Sequence, residues 1–254
     1  MNALERLEIT CSRAWPPLVA EPLGEWSLRW AAGFTGRANS ALAVGDPDRE
    51  LGDALDAVCD FAHGRGIAPM VQVVRDSPNE RAIAAAGWVP AAHHGAGHEV
   101  AVLTKGHVHV KVPPAGHFHL NVADEPEPGW WELALRPGED SPAARQVLTG
   151  GKVGYGVATT GDTLAGVVRG ALVDDWLHVG RLEVAPAFRR RGLGSALMDA
   201  VQTWGAEHGA AHAVLQVAEG NSGALALYAG LGYAPHHRYR YWVPAPGSCE
   251  DSTS

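Results

Sequence analysis

Residues 188–200, FRRRGLGSALMDA, place three arginines directly before a Gly-x-Gly turn that runs into helix-like sequence. Gly192 and Gly194 carry no Cβ, so the backbone there can bend tightly and approach a ligand. The unpaired N–H groups at the start of the following helix favour an anion, and a phosphate is the natural guest. A dinucleotide fingerprint would need a third glycine where Leu197 stands, and a P-loop would need Gly-Lys-Ser/Thr, so neither standard nucleotide motif is present. The same residues also fit a tight strand-to-helix connection with a solvated arginine cluster. The surrounding sequence has to decide between the two.

The other residues that invite chemistry are histidines. HVHV (His107, His109) and HFH (His117, His119) each set two imidazoles on one side of a strand, but no Asp, Glu or Cys completes a ligand set nearby. They read as surface or linker histidines, and no metal is expected. The three cysteines, Cys11, Cys59 and Cys249, are far apart and form neither a metal pattern nor a CxxC pair, which suits a reducing compartment.

The formal net charge is −8 and the only dense basic run is Arg189 to Arg191, so no nucleic-acid footprint is expected and any bound anion is local. The start, MNALERLEIT, lacks the pattern of a secretion signal, and no stretch approaches the length of a membrane span. These features read as a cytoplasmic enzyme or binding protein with no membrane partner. At 254 residues and 46% apolar composition, the chain can bury one large core or two smaller ones.

The elements around the turn follow from periodicity. A first block runs from about Trp26 to Leu103. An alternating stretch then gives way to two prolines and an acidic Pro/Gly segment, ADEPEPG. This predicts a domain over 1–111, a linker over 112–128, a second domain over 129–246 and a disordered tail over 247–254. The second block opens with helix-like WWELALR and a hairpin around Gly161-Asp162, followed by a strand over WLHVGRLEV that leads into the turn. After the glycines, Leu193, Leu197, Val201 and Trp204 recur at helical spacing and form one core-facing stripe. AHAVLQV reads as a buried strand, NSGALALYAGLG as a short helix opened by Asn221, and HHRYRYWVP as a closing strand.

Taken together, LEVAPAFRRRGLGSAL resembles motif A of the GNAT acyltransferase superfamily, with Arg189, Gly192 and Gly194 filling its Arg/Gln-x-x-Gly-x-Gly/Ala pattern. NSGALALYAGLGY resembles the family's motif B, with Asn221, Ala224, Leu227, Tyr228, Gly232 and Tyr233 in register. The resemblance covers about residues 130 to 243 and implies that the turn holds the pyrophosphate of an acyl-CoA. Backbone N–H groups from Arg190 through Arg191, Gly192, Leu193 and Gly194 to Ser195 would cradle it. It further implies that the thioester arm lies along the strand before the turn, pairing with the main chain of Leu182 and Val184, with Asn221 also in the cofactor site. Tyr228 occupies the family's usual position for the proton donor to the departing thiolate; the alternative is a packed tyrosine. Some relatives carry a glutamate base on the strand after motif A, where this chain has Gln216, which accepts no proton usefully. Glu183 is then the next candidate, with Glu219 and His178 behind it and water as a possible intermediary. A solvated strand-end carboxylate is the competing reading of Glu183.

The first block echoes the second. DSPNERAIAAAGWVPAA aligns with AEGNSGALALYAGLGYAPHH, pairing Asn79 with Asn221, Ala82 with Ala224 and Gly87-Trp88 with Gly232-Tyr233. Where motif A should be it has DPDRELGDAL, with acids in place of the arginines and only Gly52 of the glycine pair, so no CoA is expected there. The fold class predicted is α/β (α+β): tandem GNAT-like domains, each a mixed central sheet flanked by helices. WSLRWAAGFTGRANSALAVGD also resembles an element of two-domain bacterial GNAT proteins. Its Arg37, Asn39 and Ser40 either reach an acceptor pocket or hold their own loop, and His236-His237 are read as lining the acceptor region. The resemblance implies an acyl-CoA-dependent N-acyltransferase moving acetyl from acetyl-CoA to a primary amine of a small molecule or protein. A non-catalytic acyl-CoA sensor is the alternative, and the oligomeric state is left open.

Overall fold

The computed structural model describes residues 2–92, 94, 99–106, 108, 118–246 and 249. They form two compact units: Met1–Val102 with Ala218–Gly220 and His236–Ser254, and Leu103–Val217 with Asn221–Pro235.

The first unit opens with α1 (Ala3–Ala14), which the sequence reading left unassigned. Asn2 and Glu5 begin it as a capping box, each side chain bonding the other's backbone N–H. β1 (Val19–Leu23) and β2 (Trp26–Trp30) form an antiparallel hairpin, β2 pairs with β3 (Ala41–Ala43), and β3 runs parallel to β4 (Val71–Val74). α2 (Leu51–His63) makes the crossover between the parallel strands, and α3 (Pro78–Ala85) and the short β5 (Val89–Pro90) follow. Trp26, Leu55, Val58, Phe61, Val71, Val73, Ile83 and Trp88 fill the core. A buried polar chain crosses it: Gln72 donates to Glu8 at 2.6 Å, and the Arg29 guanidinium donates to Gln72 and to both oxygens of Ser40 at 2.8–2.9 Å.

β6 (Glu99–Gly106) holds the boundary, its residues up to Val102 belonging to the first unit and those from Leu103 to the second. In the second unit, β7 (His119–Ala123) precedes α4 (Pro128–Ala134) and α5 (Pro142–Thr149). β8 (Lys152–Thr160), β9 (Thr163–Val173) and β10 (Trp176–Val184) form an antiparallel meander, and β7 pairs on the outer side of β8. The β8–β9 turn is the expected Gly161-Asp162 pair, with Gly161 at φ +54°. α6 (Leu193–Glu207) leads into β11 (His212–Ala218), parallel to β10, then come α7 (Ser222–Gly230) and β12 (Ala234–Val243).

Glycines explain how α6 seats. A Cβ at Gly154 would lie 2.6 Å from Trp204, one at Gly166 would lie 2.8 Å from Leu197, and one at Gly170 would lie 2.6 Å from Val201. The helical stripe therefore drops into notches on β8 and β9 that any side chain would close. On α4 and α5, Trp130 donates to the Val168 carbonyl at 3.3 Å, and the buried Arg169 donates to the Leu148 carbonyl at 2.8 Å, capping the end of α5.

The internal repeat has a structural counterpart. Each unit contains a strand, a helix, a parallel strand and a shorter helix: β3-α2-β4-α3 in the first and β10-α6-β11-α7 in the second. Both short helices end on a glycine in the left-handed region, Gly87 at φ +87° and Gly232 at φ +83°. In both, the next residue donates back across the turn, Trp88 to the Ile83 carbonyl and Tyr233 to the Tyr228 carbonyl. One detail departs from the alignment. The cap of α3 is Ser77, and Asn79 instead donates to the Gly45 carbonyl at 2.9 Å.

Contacts divide the chain differently from the linear scheme of 1–111, 112–128 and 129–246. β12 pairs antiparallel with β4, so its residues from His236 onward belong to the first unit. Within the segment read as a linker, residues 119–123 form β7. Of the tail, only Cys249 is among the described residues, and it is disulfide-bonded to Cys59 of α2 with Cα atoms 6.3 Å apart. This corrects the cysteine reading: the pair is 190 residues apart, so spacing could not show it. His107, His109 and His117 lie outside the described residues.

Candidate active site

The glycine turn closes on α6 as its sequence dictates. Arg190 at φ +62° and Gly192 at φ +77° are both left-handed, and Gly192 caps α6 with no side chain accepting from its first N–H groups. Those amides, in an exposed turn flanked by Arg189, Arg190 and Arg191, form an anion site of the kind a helix N-terminus provides. The two glycines differ. Gly192 supplies the conformation, and nothing lies within 4 Å of a Cβ built there. A Cβ at Gly194 would lie 3.4 Å from Leu227 of α7, an ordinary contact, so packing does not by itself require glycine there. Arg189 turns back and donates from Nε to the Val184 carbonyl at 2.9 Å, tying the turn to the end of β10. Val184 therefore already spends its carbonyl on Arg189.

β10 and β11 pair from Trp176↔His212 to Val179↔Leu215, and no β10–β11 register follows among the described residues. At the same level the β9–β10 ladder shifts, from Gly180↔Arg169 to Glu183↔Val167, so Arg181 and Leu182 oppose the single residue Val168. The bulge and the end of pairing leave residues 180–184 as a strand whose β11 side is open. Leu182, Glu183 and Val184 sit there, Glu183 exposed and the others half-buried.

Tyr228, half-buried on α7, is pushed up to about 12, first by burial and then by the charge of Glu183. Of the residues read as donor and base, Glu183 is near enough for its charge to act on the Tyr228 phenol. The Tyr228 ring packs edge-on to Tyr233 with centroids 5.9 Å apart. Tyr233 is buried, its hydroxyl has no hydrogen-bond partner among the described residues, and burial also pushes its pKa up. Asn221 uses its side-chain oxygen to cap α7, accepting from the Ala224 N–H at 3.1 Å.

The secondary candidates are occupied elsewhere. His178 is buried with Nε2 3.5 Å from the Gln216 side-chain oxygen. In the first unit, Glu219 pairs with Arg238. There too, His237 contacts the buried Glu8 at 2.8 Å and His236 contacts His237 at 2.8 Å. Asn39 bonds the N–H groups of Ala31 and Gly33 and the carbonyls of Phe34 and Thr35, so it holds its own loop. Ser40 does the same through Arg29 and the Gly36 carbonyl, while Arg37 lies 4.3 Å over the Trp15 ring. Sequence reasoning missed Arg181, a non-glycine residue at φ +51° within the bulge, since no periodicity marks such a conformation.

A mixed sheet with a bulged strand that parts from its parallel neighbour above an uncapped glycine turn defines the class. The fold is that of the GNAT N-acetyltransferases. It belongs to the family described as "Probable histone acetyltransferase Rv0428c C-terminal", whose model matches residues 2–242. In fold it is similar to a GCN5-related N-acetyltransferase from Kribbella flavida, with a TM-score of 0.72 at 16% identity over 97% of each chain. It is also similar to a tandem GNAT protein from the clavulanic acid biosynthesis pathway, with a TM-score of 0.64 at 17% identity over 93% of this chain and 86% of that one. A 58-residue stretch is 43% identical to the acetyl transferase GW6a of Oryza sativa subsp. japonica, covering 22% of this chain and 14% of that protein. Among the described residues, no helix is long and apolar enough to cross a membrane, and no group of three metal-ligating side chains is present.

Proposed function

We propose that the protein transfers the acetyl group of acetyl-CoA to a primary amine of a small molecule or a protein. The observation that carries this reading is Tyr228, a half-buried phenol on α7 kept protonated by burial and by the charge of Glu183. In this scheme the amides of residues 190–195 and the neighbouring arginines hold the pyrophosphate, and the main chain from Leu182 to Val184 holds the thioester arm. A neutral amine attacks the thioester carbonyl, and Glu183, exposed to solvent, takes the proton released from the amine directly or through water. The tetrahedral intermediate then expels the thiolate as its C–S bond breaks, and Tyr228 supplies the proton that makes it a thiol.

The test is thiol release from acetyl-CoA across a panel of amines. Because the family description names a histone acetyltransferase, the panel includes peptide amines as well as small molecules. Turnover with at least one amine is expected. Tight acetyl-CoA binding with no turnover on any would replace this reading with a non-catalytic sensor.

One acetyl-CoA per chain is expected. In the first unit the helix equivalent to α6 is α2, with Glu50 as its N-cap residue and Asp53 in its first turn. Carboxylates there repel a phosphate. Saturation calorimetry titrating to two equivalent sites would contradict this.

A further inference from the structure

The β10 bulge is held by a side chain that the reaction scheme does not use. Arg181 adopts φ +51°, a region disfavoured for any residue with a Cβ. Its guanidinium reaches out of the strand and donates to the Ala134 carbonyl, the last residue of α4, at 3.1 Å, and to the Glu139 carboxylate at 2.8 Å. The pair is largely withdrawn from solvent, with side chains 13% and 27% exposed. Burial opposes the Glu139 charge, but the Arg136 N–H and the Arg181 guanidinium outweigh it and hold the carboxyl below its usual range.

The same helix is anchored a second time. Trp130 of α4 donates to the carbonyl of Val168, the single residue that the bulge faces. α4 therefore grips both sides of the irregularity, the strand that bulges through Arg181 and its partner through Val168. Register gives the bulge its consequence. Side chains alternate faces along a strand, so removing the extra residue would send Glu183 to the opposite face and turn over the main chain that follows.

We propose that Arg181 is a positioning residue for acyl transfer. Its bonds to Glu139 and to the end of α4 hold the β10 bulge, and the bulge sets the face to which Glu183 belongs and the line of backbone offered to the thioester arm. This rests on the assignment of residues 182–184 to that arm.

Two substitutions test it. Arg181→Gly removes the strut while leaving a residue that adopts the left-handed conformation freely. Glu139→Gln removes the charge partner and leaves the backbone of β10 untouched. Three quantities are read for each: kcat with a working amine, the Kd of acetyl-CoA, and the Kd of adenosine 3′-phosphate 5′-diphosphate, the half of coenzyme A that carries the pyrophosphate. Arg181→Gly is expected to lower kcat about tenfold or more while the nucleotide half binds within about twofold of the parent, because the amides assigned to the pyrophosphate lie past the bulge, at residues 190–195. Glu139→Gln should lower kcat in the same direction by less, and the double variant should lose less than the two effects combined. A kcat within about twofold of the parent in a folded Arg181→Gly protein overturns the proposal. So does an equal loss of affinity for the nucleotide half, which marks a general loss of structure. If the parent itself binds no acetyl-CoA, the assignment of the thioester site fails instead, and the two failures are told apart by that measurement alone.

Discussion

Tyr228→Phe is expected to lower kcat for amine acetylation by about 10²- to 10⁴-fold, with acetyl-CoA affinity within a few-fold of the parent. The substitution removes one hydroxyl and keeps the ring, so the edge-on contact with Tyr233 survives and α7 should stay in place. What is lost is the proton for the departing thiolate. Burial, and after it the Glu183 charge, push the pKa of the phenol up to about 12, which keeps it in the protonated form. A raised pKa means that the protonated, donating form persists at every pH below about 12, so Tyr228 should produce no fall in kcat between neutral pH and pH 10. Any limb seen in that range belongs to another group. The comparison needs kcat with a good acceptor, since slow hydrolysis of acetyl-CoA would mask the loss. A full rate in the Phe variant would reduce Tyr228 to a packing residue.

Gly192→Val is expected to weaken acetyl-CoA binding at least about tenfold, equivalent to about 1.4 kcal/mol. Among the described residues nothing lies within 4 Å of a Cβ at this position, so no clash with them opposes the change. Two other effects do. A β-branched residue at φ +77° costs about 1–3 kcal/mol of backbone strain, and a side chain on the exposed turn stands where an anion must approach the amides. Gly192→Asn separates them, because asparagine tolerates the left-handed region but still carries a Cβ. If approach is what matters, the Asn variant binds acetyl-CoA as poorly as the Val variant while keeping more of the parent's thermal stability. Parental calorimetric affinity in both folded variants would remove the pyrophosphate from this turn.

Much of the second unit was legible along the chain. The stripe Leu193, Leu197, Val201 and Trp204 is a local pattern, and it faces the core as its period requires. The Gly161-Asp162 hairpin and the strand-helix-strand order around the turn are likewise carried by neighbouring residues. So is the echo between halves, since Gly87 and Gly232 each end a helix in the same left-handed turn. α1 carries a local signal as well, since Asn2 and Glu5 make its capping box within the first five residues.

Motif order and local conformation are written along the chain: the arginine-glycine turn, the helix after it and the placement of Tyr228 on the next helix. These depend on residues a few positions apart, whose dihedral preferences and periodicities are read directly. The pairing of β12 with β4, the bond between Cys59 and Cys249, the action of the Glu183 charge on Tyr228 and the Arg181–Glu139 ion pair come from the three-dimensional packing. Each joins residues about 40 or more positions apart, and such contacts arise from how sheets and helices stack to bury apolar surface, not from any spacing along the chain.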